Sequence, residues 1–125
     1  MADNSSAGGV MARATLVATA MQVLMVLIGH ASPAIKAFFP IGGTTISAIA
    51  GVLFSLWGGA GTAGQAAAGG AVAGGGSALL GILVSYLLKD VDASTFAIGT
   101  GSSAVAGVLG AVVTRLVTGQ KSTSP

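Results

Sequence analysis

Residues 58–81 read GGAGTAGQAAAGGAVAGGGSALLG, ten glycines and eight alanines in 24 positions. In water this composition makes a flexible linker, because each glycine costs a helix about 1 kcal/mol relative to alanine. In a bilayer the backbone has to satisfy its own hydrogen bonds, and the apolar part of the same stretch is forced into helix. The solvent around this segment therefore decides the fold, and the rest of the chain identifies that solvent. Of 125 residues, 53% are hydrophobic and 6% charged, with five basic residues, three acidic residues and no cysteine. The mean hydropathy is +0.91. A soluble domain carries about 25% charged residues, so this chain lacks the groups to coat a water-soluble surface. Disorder requires low hydrophobicity and high charge, and the glycines follow no collagen-like three-residue period. Lipid remains as the solvent, and residues from about 66 onward read as helix, with a loop before them. Gly74, Gly75 and Gly76 mark either a kink or a point where another backbone crosses closely.

A hydrocarbon core about 30 Å thick takes roughly 20 residues of helix, with about 17 as a lower limit. Residues 11–31 (MARATLVATAMQVLMVLIGHA) satisfy this, with Arg13 near one end, where its stem can snorkel to the headgroups. Residues 41–58 (IGGTTISAIAGVLFSLWG) form a second span with Trp57 at an interface. A third runs from about 66 to 88 and a fourth from about 96 to 117, with Arg115 in its last turn. Residues 32–40 (SPAIKAFFP) are bracketed by Pro33 and Pro40 and read as a turn, with Lys36, Phe38 and Phe39 at the interface. The organisation expected is a polar end (1–10), a first transmembrane hairpin (11–60), a second (61–118) and a polar tail (119–125). A secretory-signal reading of the first segment is weakened by Asp3 and by the long approach to Arg13.

An offset of 56 residues aligns 43–55, GTTISAIAGVLFS, with 99–111, GTGSSAVAGVLGA, with eight of thirteen positions identical. The same offset sets Leu24, Val26, Leu27 and Ile28 against Leu80, Ile82, Leu83 and Val84, and His30 against Tyr86. Each unit holds two spans, so both enter the membrane in the same direction. The fold expected is an all-α membrane protein of four transmembrane helices in two tandem hairpins, a parallel repeat about an axis along the membrane normal.

Helices in lipid gain nothing hydrophobically by meeting, so association depends on close backbone approach and polar contacts. Small residues at every fourth position line one face of a helix. The second span carries Gly43, Ser47, Gly51, Ser55 and Gly59; the third Gly69, Ala73, Ser77, Gly81 and Ser85; the fourth Gly99, Ser103, Gly107 and Ala111. These are the candidate packing residues, serving the chain's own bundle or, if turned outward, a homo-oligomer. The first span shows no such stripe and is expected to face lipid or a partner.

Chemistry is scarce. No acidic residue lies within a span, which leaves a proton relay or a buried cation site without a candidate. His30 is the sole histidine; an imidazole ligates haem or a chlorophyll-type magnesium, but its terminal position favours an interfacial ring. No cofactor or metal is expected. Arg13, His30, Lys36, Trp57, Tyr86 and Arg115 are the candidate interface residues, and Lys89, Asp90 and Asp92 read as a solvated loop. Gln22, Thr44, Thr45 and Thr114 are mildly polar groups that bond a neighbouring turn or line a pore. No phosphate-binding loop occurs, no serine has a matching base, and the basic residues form no nucleic-acid footprint. The chain reads as non-enzymatic: a self-associating or accessory subunit of a membrane assembly, with the lipid bilayer and other membrane subunits as partners. The alternatives are a small oligomeric pore, channel or holin-like, and a small-molecule transporter. Arg13, Arg115 and Lys121 on one face against Lys36 and Lys89 on the other place both ends in the cytoplasm, of a bacterial cytoplasmic membrane if the chain is bacterial.

Overall fold

The interior of this protein is built from small residues: apart from Val10, Val26 and Phe54, its buried hydrophobic side chains are all alanine. Side chains this small let helices approach until their backbones touch. The computed structural model describes residues 7–58 and 61–118, and among them every regular element is a helix. They are α1 (Ala7–Ala31), α2 (Pro33–Lys36), α3 (Phe39–Leu56), α4 (Ala63–Leu87) and α5 (Ser94–Thr118). Four of them, all but α2, are long and apolar enough to cross a membrane. Gly59, Ala60, Asp3 and the tail from residue 119, including Lys121, lie outside the described residues.

Helix α4, the glycine-rich stretch that opened the question, is the most buried of the four and runs unbroken. Its start is fixed by a capping box: Gln65 N–H donates to Thr62 Oγ1 at 3.0 Å and Thr62 N–H to Gln65 Oε1 at 3.1 Å. Gly74 and Gly75 lie at the crossing with α5: a Cβ on Gly74 would stand 2.7 Å from the Ser103 carbonyl oxygen and 2.8 Å from Gly107 Cα, and one on Gly75 3.1 Å from Ala104 Cβ. The end is a Schellman turn, in which Asp90 N–H donates to Ser85 O and Lys89 N–H to Tyr86 O, both at 2.9 Å. Lys89 occupies the left-handed position, φ 64°, that glycine usually fills. Helix α3 ends in the ordinary way, on Gly58 at φ 90°.

Helices α3 and α4 each pack against all three other long helices, whereas α1 and α5 lie on opposite sides of the bundle. The segment between the first two spans differs from a simple turn: residues 33–36 form one helical turn, and α3 begins at Phe39 with Pro40 in its first turn. Helix α1 starts at Ala7, earlier than the polar end implies, and Val10 is fully buried. It also has a packing stripe of its own. Val10, Ala14, Ala18, Gln22 and Val26, four residues apart, are all buried. The stripe was hidden because its positions mix valine, alanine and glutamine instead of repeating glycine and serine.

Candidate functional site

Two kinds of contact position the residues that matter: backbone crossings in one half of the bundle and a polar cleft in the other. The crossing joins α3, α4 and α5. A methyl on Gly51 would overlap the Gly107 carbonyl, and one on Gly107 would overlap that of Gly70. Ser55 Oγ donates to Ala111 O at 2.6 Å, and Ser47 and Ser77 both donate to Gly74 O at 3.1 Å. Phe54, almost fully buried, fills the space a side chain on Gly69 would need. Ser47, Gly51, Ser55, Gly69, Ala73, Ser77, Gly81, Ser85, Ser103, Gly107 and Ala111 are buried, and Gly43 and Gly99 partly so. The three stripes thus face inward and are occupied within one chain.

Away from the crossing, α3 and α5 part. Gly43 faces Gln22 and Met25 of α1, and Gly99 faces Ile82 of α4, so these two residues do not meet. The space between holds a cavity of about 450 Å³ lined by all four long helices and by the connections at its mouth. Pro40 and Thr44 on α3 and Ile98 and Ser102 on α5 are exposed, while Gln22, Val26, Ala78, Gly81, Ser85 and Ser103 behind them are buried. The opening therefore lies between α3 and α5, facing sideways out of the bundle. Most of the wall is apolar, with polar groups at two levels.

At the mouth, Asp90 accepts from His30 and Lys36: Nδ1 of His30 lies 2.8 Å from one carboxylate oxygen and Nζ of Lys36 3.3 Å from the other. The expectation of a solvated loop holds for the exposed Lys89 and Asp92 and is corrected at Asp90. The Asp90 side chain is 7% exposed, and its two partners tie the ends of α1 and α2 to the α4–α5 connection. The hydrogen bond from His30 holds the Asp90 carboxyl below its usual range, against the opposing effect of burial and with further help from Lys36. Asp92 is also lowered, chiefly by the Ser94 hydroxyl, which donates to it at 2.7 Å as α5 begins. His30, at the end of α1, remains half exposed with its Nδ1 engaged. Its counterpart by offset, Tyr86, packs edge-on against Phe96 with ring centroids 5.3 Å apart.

Deeper in the cleft, Gln22 Nε2 donates to Gly43 O and to Ser47 Oγ, both at 3.2 Å. At the opposite end of the bundle Arg13 stacks on Trp57, 4.7 Å from the ring centroid. Arg115 donates to Gly61 O at 3.4 Å, bonding the α3–α4 connection instead of reaching away from the bundle. Sequence reasoning named Gln22, His30, Lys36 and Ser103 separately and did not bring them together. The signal that could have done so is the position of Gln22, eight residues from His30 on α1, in a span otherwise apolar at that depth.

The class defined by this architecture is a helical bundle with four helices long and apolar enough to cross a membrane, compatible with a multi-pass membrane protein. Comparison with known proteins adds no narrower assignment: no family model, curated protein or solved structure matches the chain.

Proposed function

We propose that this chain is a non-enzymatic, multi-pass integral membrane protein built from two tandem hairpins, serving as a small accessory subunit of a membrane assembly. The observation that carries this reading is the brevity of the connections between the long helices, residues 32–38, 57–62 and 88–93. With so little between spans, a partner has to meet the protein largely within the bilayer, on outward faces rich in leucine and valine such as Leu16 and Leu24 of α1 and Leu109 and Leu116 of α5. The accessory form of the reading is favoured over self-association because the small-residue stripes, the device for close self-packing in lipid, are already occupied inside. The tandem duplication is supported by the α3–α5 contact: Ser55 and Ala111, 56 residues apart, touch, as counterparts do beside a two-fold axis. The likeness is partial, since the α3–α4 interface has no equal between α1 and α5. Both ends lie on the cytoplasmic side in this reading.

Extraction in mild detergent through an affinity tag, followed by native mass spectrometry, tests it. A co-purifying membrane protein is expected, and a lone monomer from native membranes refutes the subunit reading. The cleft favours a second reading, a small-molecule carrier, because it supplies a ligand-sized space between the hairpins. Solute uptake by proteoliposomes is its test. A pore draws less support, as Gln22, Ser47 and Ser103 turn inward and the exposed Thr44 and Thr45 each donate their hydroxyl proton to the carbonyl one turn back.

A further inference from the structure

The polar groups deep in the cleft are incompletely bonded, and what they lack specifies what would fit. Ser47 Oγ gives its proton to Gly74 O, so toward Gln22 it can only accept, and Gly43 O is an acceptor by nature. Both contacts therefore fix the Gln22 amide with Nε2 toward them. That leaves Gln22 Oε1 accepting no hydrogen bond among the described residues, on a side chain 3% exposed. Ser103, 4% exposed on the facing helix, makes no side-chain hydrogen bond among the described residues. Serines inside apolar helices ordinarily bond the carbonyl one turn back, as Ser102 does to Ile98 O at 2.6 Å on the cleft's rim. Ser103 lines the same cavity as Gln22 and does not.

We propose that this cleft is a binding site for an uncharged amphiphilic alcohol, entering sideways between α3 and α5 with its hydroxyl at the inner end. A hydroxyl is the simplest group that both donates, as Gln22 Oε1 requires, and accepts, as a serine O–H requires. A charged inner end is excluded, because no opposite charge lines that depth and an unpaired buried charge is prohibitively costly. Met25, Val26, Ile82 and Ile98 line the path of the apolar body. The volume of about 450 Å³ falls within the range of small-molecule pockets, about 300–1,000 Å³. The eight residues from His30 down to Gln22 set a depth of about 12 Å. The sideways opening gives access from lipid.

The test uses the full chain in phosphatidylcholine liposomes, with a photoreactive diazirine derivative of decanol and the matching diazirine alkane. Labelled peptides are mapped by mass spectrometry. The alcohol is expected to label residues 22–26, 82–85 and 98–103 saturably, to be displaced by plain decanol and to exceed the alkane there. The Ser103→Ala variant is expected to weaken saturation about fivefold, the effect of losing one modest hydrogen bond. Equal, unsaturable labelling by alcohol and alkane, as a cleft holding only water or fluid lipid would give, overturns the proposal. Should that variant fail to fold, saturation and displacement on the unaltered protein decide alone. Displacement by octadecanol better than octanol assigns the site to a lipid-length molecule, and the reverse to a diffusible one.

Discussion

Replacing Gly107 by alanine tests whether backbone contact is what holds this bundle together. A methyl there would overlap the carbonyl oxygen of Gly70 and stand 3.0 Å from Gly74 Cα. Overpacking typically costs about 1–3 kcal/mol, and here the obstructing atoms are backbone with no rotamer to yield, which places the cost near 3. Alanine returns about 1 kcal/mol through its better helix propensity, for a net loss of about 2. Gly101, on the same helix, has nothing within 4 Å of the same added methyl, so Gly101→Ala keeps the propensity gain, up to about 1 kcal/mol. The two variants differ by one methyl each and should separate by about 3 kcal/mol, roughly 150-fold in the unfolding equilibrium constant. Reversible unfolding by titrating SDS into mixed micelles, followed by circular dichroism, measures both. If Gly107→Ala proves as benign as Gly101→Ala, the crossing does not hold the helices at the contact described, and the argument for a bundle closed by its own stripes fails.

Three further outcomes follow from individual contacts. Lys89→Gly should stabilise the protein by up to about 1 kcal/mol in the same assay, since the left-handed conformation at the α4 terminus suits glycine; no gain would show that the Schellman turn is not held. Ser55→Ala, which removes the donor to Ala111 O, should cost about 0.5–1.5 kcal/mol, and an unchanged midpoint would deny that hydrogen bond a role. The carboxyls of Asp90 and Asp92 are depressed in the fold below an ordinary value of 3.8, so their contribution is present above that value and lost as pH falls through the depressed one. Unfolding midpoints measured from pH 7 to pH 3 should therefore decline at the acid end. Asp90→Asn should lower the pH 7 midpoint and flatten that decline, and an acid limb unchanged by the substitution would contradict the linkage to His30 and Lys36.

How much of this was readable in the chain depended on whether a residue's role is set locally. Four apolar segments fix their own extent, and their ends in the structure fall within a few residues of those read from composition. The stripes on α3, α4 and α5 announce themselves because Gly, Ser and Ala recur at one spacing. The start of α4 was equally local, Thr62 and Gln65 three apart, but lay within a glycine-alanine run where any helix start is faint. Asp90 was misplaced for a different reason. Its burial arises from His30 and Lys36, 60 and 54 residues earlier, and a charge in a short connection reads as solvated until the fold brings a partner across.

The cleft has the same non-local origin, and it is a consequence of the glycines that close the bundle elsewhere. Helices pinned at a backbone crossing diverge on either side of it, and here the crossing of α3 and α5 lies at Gly51 and Gly107, toward one end of the bundle. The farther halves therefore separate. Side chains large enough to refill the gap are absent at Gly43, Gly81, Gly99 and Ser103, although Gly81 packs against Gln22 and Gly99 against Ile82. That the small residues persist along the open half, together with incompletely bonded Gln22 and Ser103, makes the space a product of the same sequence pattern as the packing. Leucine at position 103 should accordingly fill the cleft while leaving the crossing at Gly107 intact.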